Sequence, residues 1–159
     1  MSRPTAFPSL VPDVFSYSTT SSEGRLRLEG VPRPSARLAS DQNRLDAIEH
    51  LLDLSDRYRH ANWDGEGAEP IPEAAFQEAQ EFLQKLTSWM PLPEVVPEPD
   101  GYLGLEWYAN KWLLYVVSFN GQGALSCSGL AGQERIYGTR FMDEGIPADI
   151  LRNIARVFR

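Results

Sequence analysis

Residues 101–119 read GYLGLEWYANKWLLYVVSF, and residues 120–141 read NGQGALSCSGLAGQERIYGTRF. Aromatic and β-branched residues are dense in these segments, and Gly and Asn interrupt them at short intervals. This composition is typical of short strands joined by tight turns. The stretch from Gly101 to Phe141 therefore predicts an antiparallel meander of four strands.

The alternation of side chains in the meander predicts which residues face the core. Leu103, Leu105 and Trp107 share one side of the first predicted strand, because successive side chains point to opposite faces of a sheet. The second predicted strand, 112–119, is apolar on both sides, which predicts a central strand with helices or the N-terminal segment covering both faces. Trp107 and Trp112 flank the first hairpin and are interpreted as core residues or cross-strand partners.

Three helices are predicted around this meander. Apolar residues recur at helical spacing between about Asn43 and His60, and again after Pro72-Glu73, a pair that is favoured at the start of a helix. A last helix follows Gly145-Ile-Pro147. Their apolar stripes need a sheet face to bury against. The sequence therefore predicts an α+β fold in which two helices precede the four-stranded meander and one C-terminal helix follows it.

The first forty residues differ from the rest of the chain. Five prolines and a Ser/Thr-rich run at 16–22 disfavour a continuous helix or a central strand in this segment. Five arginines and three acids give it a net charge of +2. Arg and Leu alternate in residues 25–28, which favours one short edge strand. We interpret residues 1–40 as a flexible arm that docks on its own domain or orders on a partner, and residues 41–159 as a single domain.

The chain is acidic, with a net charge of −7 and a pI near 4.8. Nucleic-acid-binding proteins usually carry a basic face, so direct binding to nucleic acid is not expected. An acidic surface suits a protein partner with a basic surface, or serves solubility alone. The sequence does not predict the oligomeric state.

Sequence features predict a cytoplasmic protein with no membrane segment. Cys127 is the single cysteine, which rules out an intramolecular disulfide and is typical of a reducing compartment. Its position between polar residues on a predicted strand indicates a small buried thiol rather than a nucleophile. The N-terminal residues lack the apolar core of a signal peptide, and the longest apolar run, 112–117, is too short to cross a bilayer.

Acidic residues are concentrated in the middle of the chain, where Ala61 to Glu106 hold ten acids and one base, Lys85. Such a density creates a negative potential that speeds encounter with a basic partner, although acidic loops around a solvated helix face would give the same composition. Trp63 lies in a glycine-flanked loop, where it either anchors the loop or forms an exposed contact. The candidate partner-binding residues are Trp63, Asp64, Glu66, Glu69, Asp100 and Glu106.

The same carboxylates raise the alternative of a metal-dependent hydrolase or nuclease that uses Asp64, Asp100 and Glu106. Nucleases with this kind of acidic motif carry a lysine two residues after the strand acid, and here that position is Tyr108. The loop 64–69 lacks the ligand spacing of a calcium loop, and the sequence shows neither a nucleophile elbow nor a dinucleotide-binding fingerprint. No catalytic residue, metal site or cofactor is therefore predicted.

Five short words are spaced along the chain between about Trp63 and Phe158. They are Asn62-Trp-Asp-Gly65, Pro70-Ile71, Pro99-Asp-Gly101, Leu105-Glu-Trp107 and Gly138-Thr139. Together they resemble a pattern in small uncharacterised bacterial proteins of the accessory genome. The resemblance implies a bacterial origin and a mobile or defence-related gene neighbourhood, and it carries no activity and no site residues.

Small size, acidity, the arm and the lack of a catalytic set favour a non-enzymatic binding protein. Such a protein would neutralise or regulate a macromolecular partner, in the manner of an antitoxin or an anti-defence inhibitor. The alternatives are the metal-dependent hydrolase and a structural subunit of a bacterial complex.

Overall fold

The computed structural model describes the backbone of residues 34–159 and the side chains of residues 40–159. Residues 1–33, which make up most of the predicted arm, lie outside the described residues. The flexible character of the arm and the domain boundary at residue 40 therefore stay predictions.

Three helices and five strands build the described part of the chain. The helices are α1 (Pro34–Tyr58), α2 (Glu73–Lys85) and α3 (Ala148–Val157), and the strands are β1 (Glu94–Pro97), β2 (Leu103–Asn110), β3 (Leu113–Phe119), β4 (Ala124–Ala131) and β5 (Glu134–Phe141). The strands form one antiparallel sheet in the order β1-β2-β3-β4-β5. The α+β class, the order of the three helices and the meander are confirmed.

The predicted number of four strands is wrong, because β1 adds a fifth strand ahead of the meander. Prolines surround this short segment, and proline cannot donate to a ladder, so the sequence favoured a turn there. β1 lies at the edge of the sheet, where a missing N–H is tolerated because it can point away from the partner strand. Pro97 pairs with Leu103 of β2 at this edge.

Helix α1 begins at Pro34, ahead of the predicted start near Asn43, and it ends at Tyr58 rather than His60. Proline suits the first turn of a helix because its missing N–H has no partner there in any case. Among the described side chains of α1, those of residues 40–58, Ile48 and Leu51 are buried. Few apolar residues precede this packed part, so helical periodicity did not reveal the earlier turns.

The inner face of the sheet, which α2 and α3 cover, holds the core, and α1 packs against α2. Phe82 of α2 lies 5.6 Å from Phe119 and 6.1 Å from Trp107, measured between ring centroids. Each large apolar side chain buried in this way contributes about 1.5–3 kcal/mol. The almost fully buried inner-face residues of β2 and β3 are Leu103, Leu105, Trp107, Tyr115, Val117 and Phe119.

The outer face of the sheet is covered by no helix within the described residues. Cover by helices or by the arm was expected on both faces of strand 112–119. No described helix supplies it on the outer face, and cover by the arm lies outside the described residues. Leu114 and Val116 are half-buried on the outer face, and Trp112 is 56% exposed. Trp107 points to the covered inner face and is a core residue. Trp112 points to the outer face and is not, because side chains on the uncovered side of a sheet are exposed to solvent.

A carboxylate on α2 holds the hairpin between β3 and β4. Glu78 accepts a hydrogen bond from the backbone N–H of Gly121 at 2.9 Å and another from that of Gly123 at 2.6 Å. Gly121 has a φ of +79°, and a Cβ at this position would lie 2.8 Å from the Cβ of Ala74. The hairpin thus approaches α2 closely enough to require glycine at position 121.

Glu78→Ala should lower the free energy of unfolding by about 1–3 kcal/mol, because two backbone N–H groups lose a charged acceptor. Glu81→Ala is the matched control on the same helix, since Glu81 is exposed and pairs with Lys85 one turn away. It should cost about 0.5 kcal/mol or less. Urea denaturation measures both losses, and equal losses would contradict the role of Glu78.

Candidate partner-binding site

The loop 62–69, here named the acidic loop, is closed by hydrogen bonds between its own residues. The N–H of Asn62 donates to the carbonyl of Ala68 at 2.7 Å, and the side-chain oxygen of Asn62 accepts from the N–H of Gly67 at 2.7 Å. Asn62 has a φ of +59° and Gly65 a φ of +80°, a region that asparagine and glycine enter most readily. The residue types of the loop thus specify its closed shape.

Asp64 is part of this closure. One of its oxygens accepts the N–H of Glu66 at 2.8 Å and the N–H of Ala68 at 3.0 Å. These bonds favour the charged carboxylate, so they lower the pKa of Asp64 below its ordinary value, the bond from Glu66 most of all. Asp64 therefore shapes the loop, whatever it contributes to binding.

Trp63 anchors the acidic loop to the domain. Its indole N–H donates to the carbonyl of Glu69 at 3.0 Å, and its ring packs edge-on against Tyr58 with 4.9 Å between the centroids. The side chain is half-buried. Of the two interpretations of Trp63 that the sequence left open, the structure supports the anchor.

The acidic loop is fixed against the turn at residues 98–101, which leads into β2. The N–H of Glu69 donates to the carbonyl of Pro99 at 2.8 Å. Gly101 has a φ of +86° and approaches so closely that a Cβ there would lie 3.3 Å from the carbonyl oxygen of Pro70. Loop and turn thus form one unit, which we name the acidic corner (residues 62–69 and 98–101).

Besides Asp64, which is exposed but bonded within the loop, the acidic corner presents the exposed carboxylates of Glu66, Glu69 and Asp100. Within the described residues none of them has a salt-bridge partner. Lys85, the one base of the acidic middle, is paired with Glu81 on α2. Among the described residues, the negative charge of the corner is therefore uncompensated, and the loop that carries it is held by hydrogen bonds.

Glu106 lies apart from the corner, on the outer face of β2. It pairs across the ladder with Glu94 of β1. Burial raises the pKa of Glu106, and the charge of Glu94 raises it further. Of the six candidate residues, the structure brings Trp63, Asp64, Glu66, Glu69 and Asp100 together in the acidic corner and leaves Glu106 outside it.

Glu98 connects the acidic corner to the outer face, although the sequence did not distinguish it from the other acids. Its carboxylate accepts the hydroxyl of Ser118, a buried residue of β3, at 2.5 Å. Burial raises the pKa of Glu98, the bond from Ser118 lowers it, and the charge of Asp100 raises it. Because Ser118 lies far along the chain, no local pattern could have revealed this contact.

Residues 40–159 contain no group of three or more His, Cys, Asp and Glu side chains arranged to hold a metal ion. The carboxylates of the hydrolase alternative are divided, with Asp64 bonded to its own loop and Glu106 on the outer face. Cys127 is buried, as predicted, and burial raises the pKa of its thiol. The described part of the chain thus does not assemble these groups into one reactive site.

Exposed aromatic side chains on the outer face are the feature that sequence reasoning missed. Tyr108, Trp112 and Tyr137 are 56%, 56% and 82% exposed. The ammonium group of Lys111 lies 5.2 Å from the centroid of the Trp112 ring. Alternation along the strands predicts that these side chains point away from the core. It does not predict that they are exposed, because that depends on whether a helix covers the outer face. We name these three residues the outer aromatic residues.

Comparison with known proteins gives no relative from which a function can be transferred. The chain matches none of the protein-family models, curated proteins or solved structures with which it was compared. The resemblance to small bacterial proteins, with its bacterial and defence-related setting, stays a prediction. Among the helices of the described region, none combines the length and apolarity that a bilayer span requires.

Asp64→Ala should lower the midpoint of urea denaturation at neutral pH, because the N–H groups of Glu66 and Ala68 lose their acceptor. The pKa of Asp64 is lowered in the folded protein, so its stabilisation is full above its ordinary value of 3.8 and is lost as the pH falls through the folded pKa. The difference from wild type should therefore disappear in strong acid.

The matched control is Glu66→Ala, which removes an exposed carboxylate from the same loop without removing an acceptor that closes it. Its midpoint should stay at the wild-type value at neutral pH. An Asp64→Ala variant as stable as Glu66→Ala would contradict the structural role of Asp64.

Proposed function

We propose that this chain is a non-enzymatic binding protein that neutralises or regulates a macromolecular partner through its acidic corner. The observation that carries the proposal is the set of exposed carboxylates on a loop and turn fixed to each other, without salt-bridge partners in the described residues. The partner that fits is a protein with a basic surface, as for an antitoxin-like or anti-defence inhibitor.

The rigidity of the corner supports this role. Trp63, the Asp64 carboxylate and the bond from Glu69 to Pro99 hold the loop in one shape, so little conformational entropy remains to be lost on binding. Uncompensated charge at the surface steers a cationic partner and speeds the encounter. The net charge of −7 disfavours a nucleic-acid partner for the same surface.

Charge reversal of the corner tests the proposal. The triple variant is Glu66→Lys, Glu69→Lys and Asp100→Lys. It retains Asp64, which closes the loop, so that weaker binding cannot be attributed to a change in the shape of the loop. Tagged full-length wild-type protein is used to isolate partners from a lysate of the native host. The affinity of each purified partner is then measured for the wild-type protein and for the triple variant. Binding by the triple variant should be at least about tenfold weaker.

The matched control reverses three exposed acids elsewhere, with Glu49→Lys, Asp53→Lys and Glu144→Lys. It changes the net charge by the same amount and should retain most of the affinity. A partner that binds both reversed proteins with the wild-type affinity would exclude the acidic corner as its binding surface.

A second candidate function, a structural subunit of a complex, is favoured by the outer aromatic residues. Exposed aromatic side chains of this size are commonly buried at interfaces. In this case the protein should self-associate on sedimentation, and Trp112→Ser with Tyr137→Ser should give a monomer. Trp89→Ser is the control, since Trp89 is 66% exposed outside the sheet. Monomeric wild-type protein would contradict self-assembly through this face.

A further inference from the structure

The outer face of the sheet carries an apolar band that crosses the strands from β2 to β5. It consists of two neighbouring rows of cross-strand partners, in which exposed tyrosines flank half-buried aliphatic residues. Within the described residues no helix covers these rows. A connected apolar surface of this kind is typical of an interaction site. The rows are Tyr108, Leu114 and Leu130, and Val116, Ser128 and Tyr137.

Charges of opposite sign lie at the two sides of this apolar band. Glu94 of β1 and Glu106 of β2 are paired on the outer face. Arg135 lies on the outer face of β5, where it pairs with Leu130 and precedes Ile136, which packs against the core. None of the three charged residues has a salt-bridge partner among the described residues. The face is therefore acidic at β1 and β2 and basic at β5.

A second copy of the same face fits this distribution of charge. Two sheets that pack face to face lie about 10 Å apart with their strands nearly aligned. A two-fold axis between the sheets makes such a contact self-complementary. When this axis runs along the strands, β3 lies over its own copy, and β1 lies over β5 of the second copy. The acidic side of each copy then meets the basic side of the other, with the apolar bands between them.

The charges distinguish this arrangement from the other simple two-fold packing of the same face. With the axis across the strands, each strand lies over its own copy. Glu94 and Glu106 then meet the same two acids of the second copy, and Arg135 meets Arg135. Like charges brought together at an interface repel. The axis along the strands is therefore favoured.

We infer that the outer face is a homodimer interface with its two-fold axis along the strands, in which Glu94 and Glu106 of each copy lie against Arg135 of the other. The contact buries the apolar band and the exposed rings of Tyr108 and Tyr137. This arrangement rests on the second candidate function, self-association through the outer aromatic residues, and adds the symmetry and the charge pairs of the contact.

Exchange of charge between two variants tests the symmetry. Sedimentation velocity of the full-length protein at low ionic strength and rising concentration measures the dimer. Glu94→Lys with Glu106→Lys should weaken dimerisation at least about tenfold, and so should Arg135→Glu, because each change places like charges together at both sides of the contact. A mixture of the two variants should recover the wild-type affinity, since every charge in the mixed dimer again faces the opposite sign.

The matched controls make the same changes of charge at exposed positions outside the sheet. They are Glu49→Lys with Asp53→Lys on α1, and Arg152→Glu on α3. Each should dimerise like wild type, alone and in the mixture.

Three results would overturn the inference, and they differ in what they leave standing. Wild-type protein that stays monomeric would also exclude the second candidate function. Dimers that neither charge variant weakens, but that Trp112→Ser with Tyr137→Ser abolishes, would exclude the charge pairs and retain self-association through this face. A Glu94→Lys, Glu106→Lys variant that associates better with wild type than with Arg135→Glu would show that the axis runs across the strands.

Discussion

The contact of Phe82 with Trp107 and Phe119 fixes α2 against the inner face of the sheet, and the surroundings of the acidic corner depend on it. The chain enters α2 through Ile71, which is buried and whose N–H bonds to α1. The Trp107 indole N–H donates to the carbonyl of Pro91 at 2.8 Å and so places the chain that enters β1. One aromatic cluster thus positions the segments on both sides of α2, which lead to the two halves of the corner.

Cover on one side of the sheet accounts for the surface as well as the core. The described helices bury the inward side chains of β2 and β3, whereas no described helix covers the outward side chains of these strands. The same geometry exposes the outer aromatic residues and sets Glu94 beside Glu106. These features of the outer face thus follow from the position of the described helices, which cover only the inner face of the sheet.

The sequence predicted those elements whose signal is local. Alternation in β2 and helical spacing in α2 depend on neighbours within a few residues, and both predictions are confirmed. β1 was missed because its prolines are tolerated only at an edge, which is a property of the whole sheet. The roles of the acids were equally out of reach, since Glu78 bonds to Gly121 and Glu98 to Ser118, far along the chain. In the sequence these residues are distinguished only by their negative charge, whereas in the structure their carboxylates accept hydrogen bonds.

Three of the short words noted in the sequence lie in or beside the acidic corner. Trp63 bonds to Glu69, Glu69 bonds to Pro99, and Gly101 approaches Pro70, so three of the words meet in space. They specify the shape of the corner through backbone contacts, tight turns and an anchored ring. The carboxylates of Glu66 and Glu69 take no part in these contacts, so their charge can change while the corner keeps its shape. Under the proposed function, the charges presented to a partner could therefore be altered without altering the support that holds them.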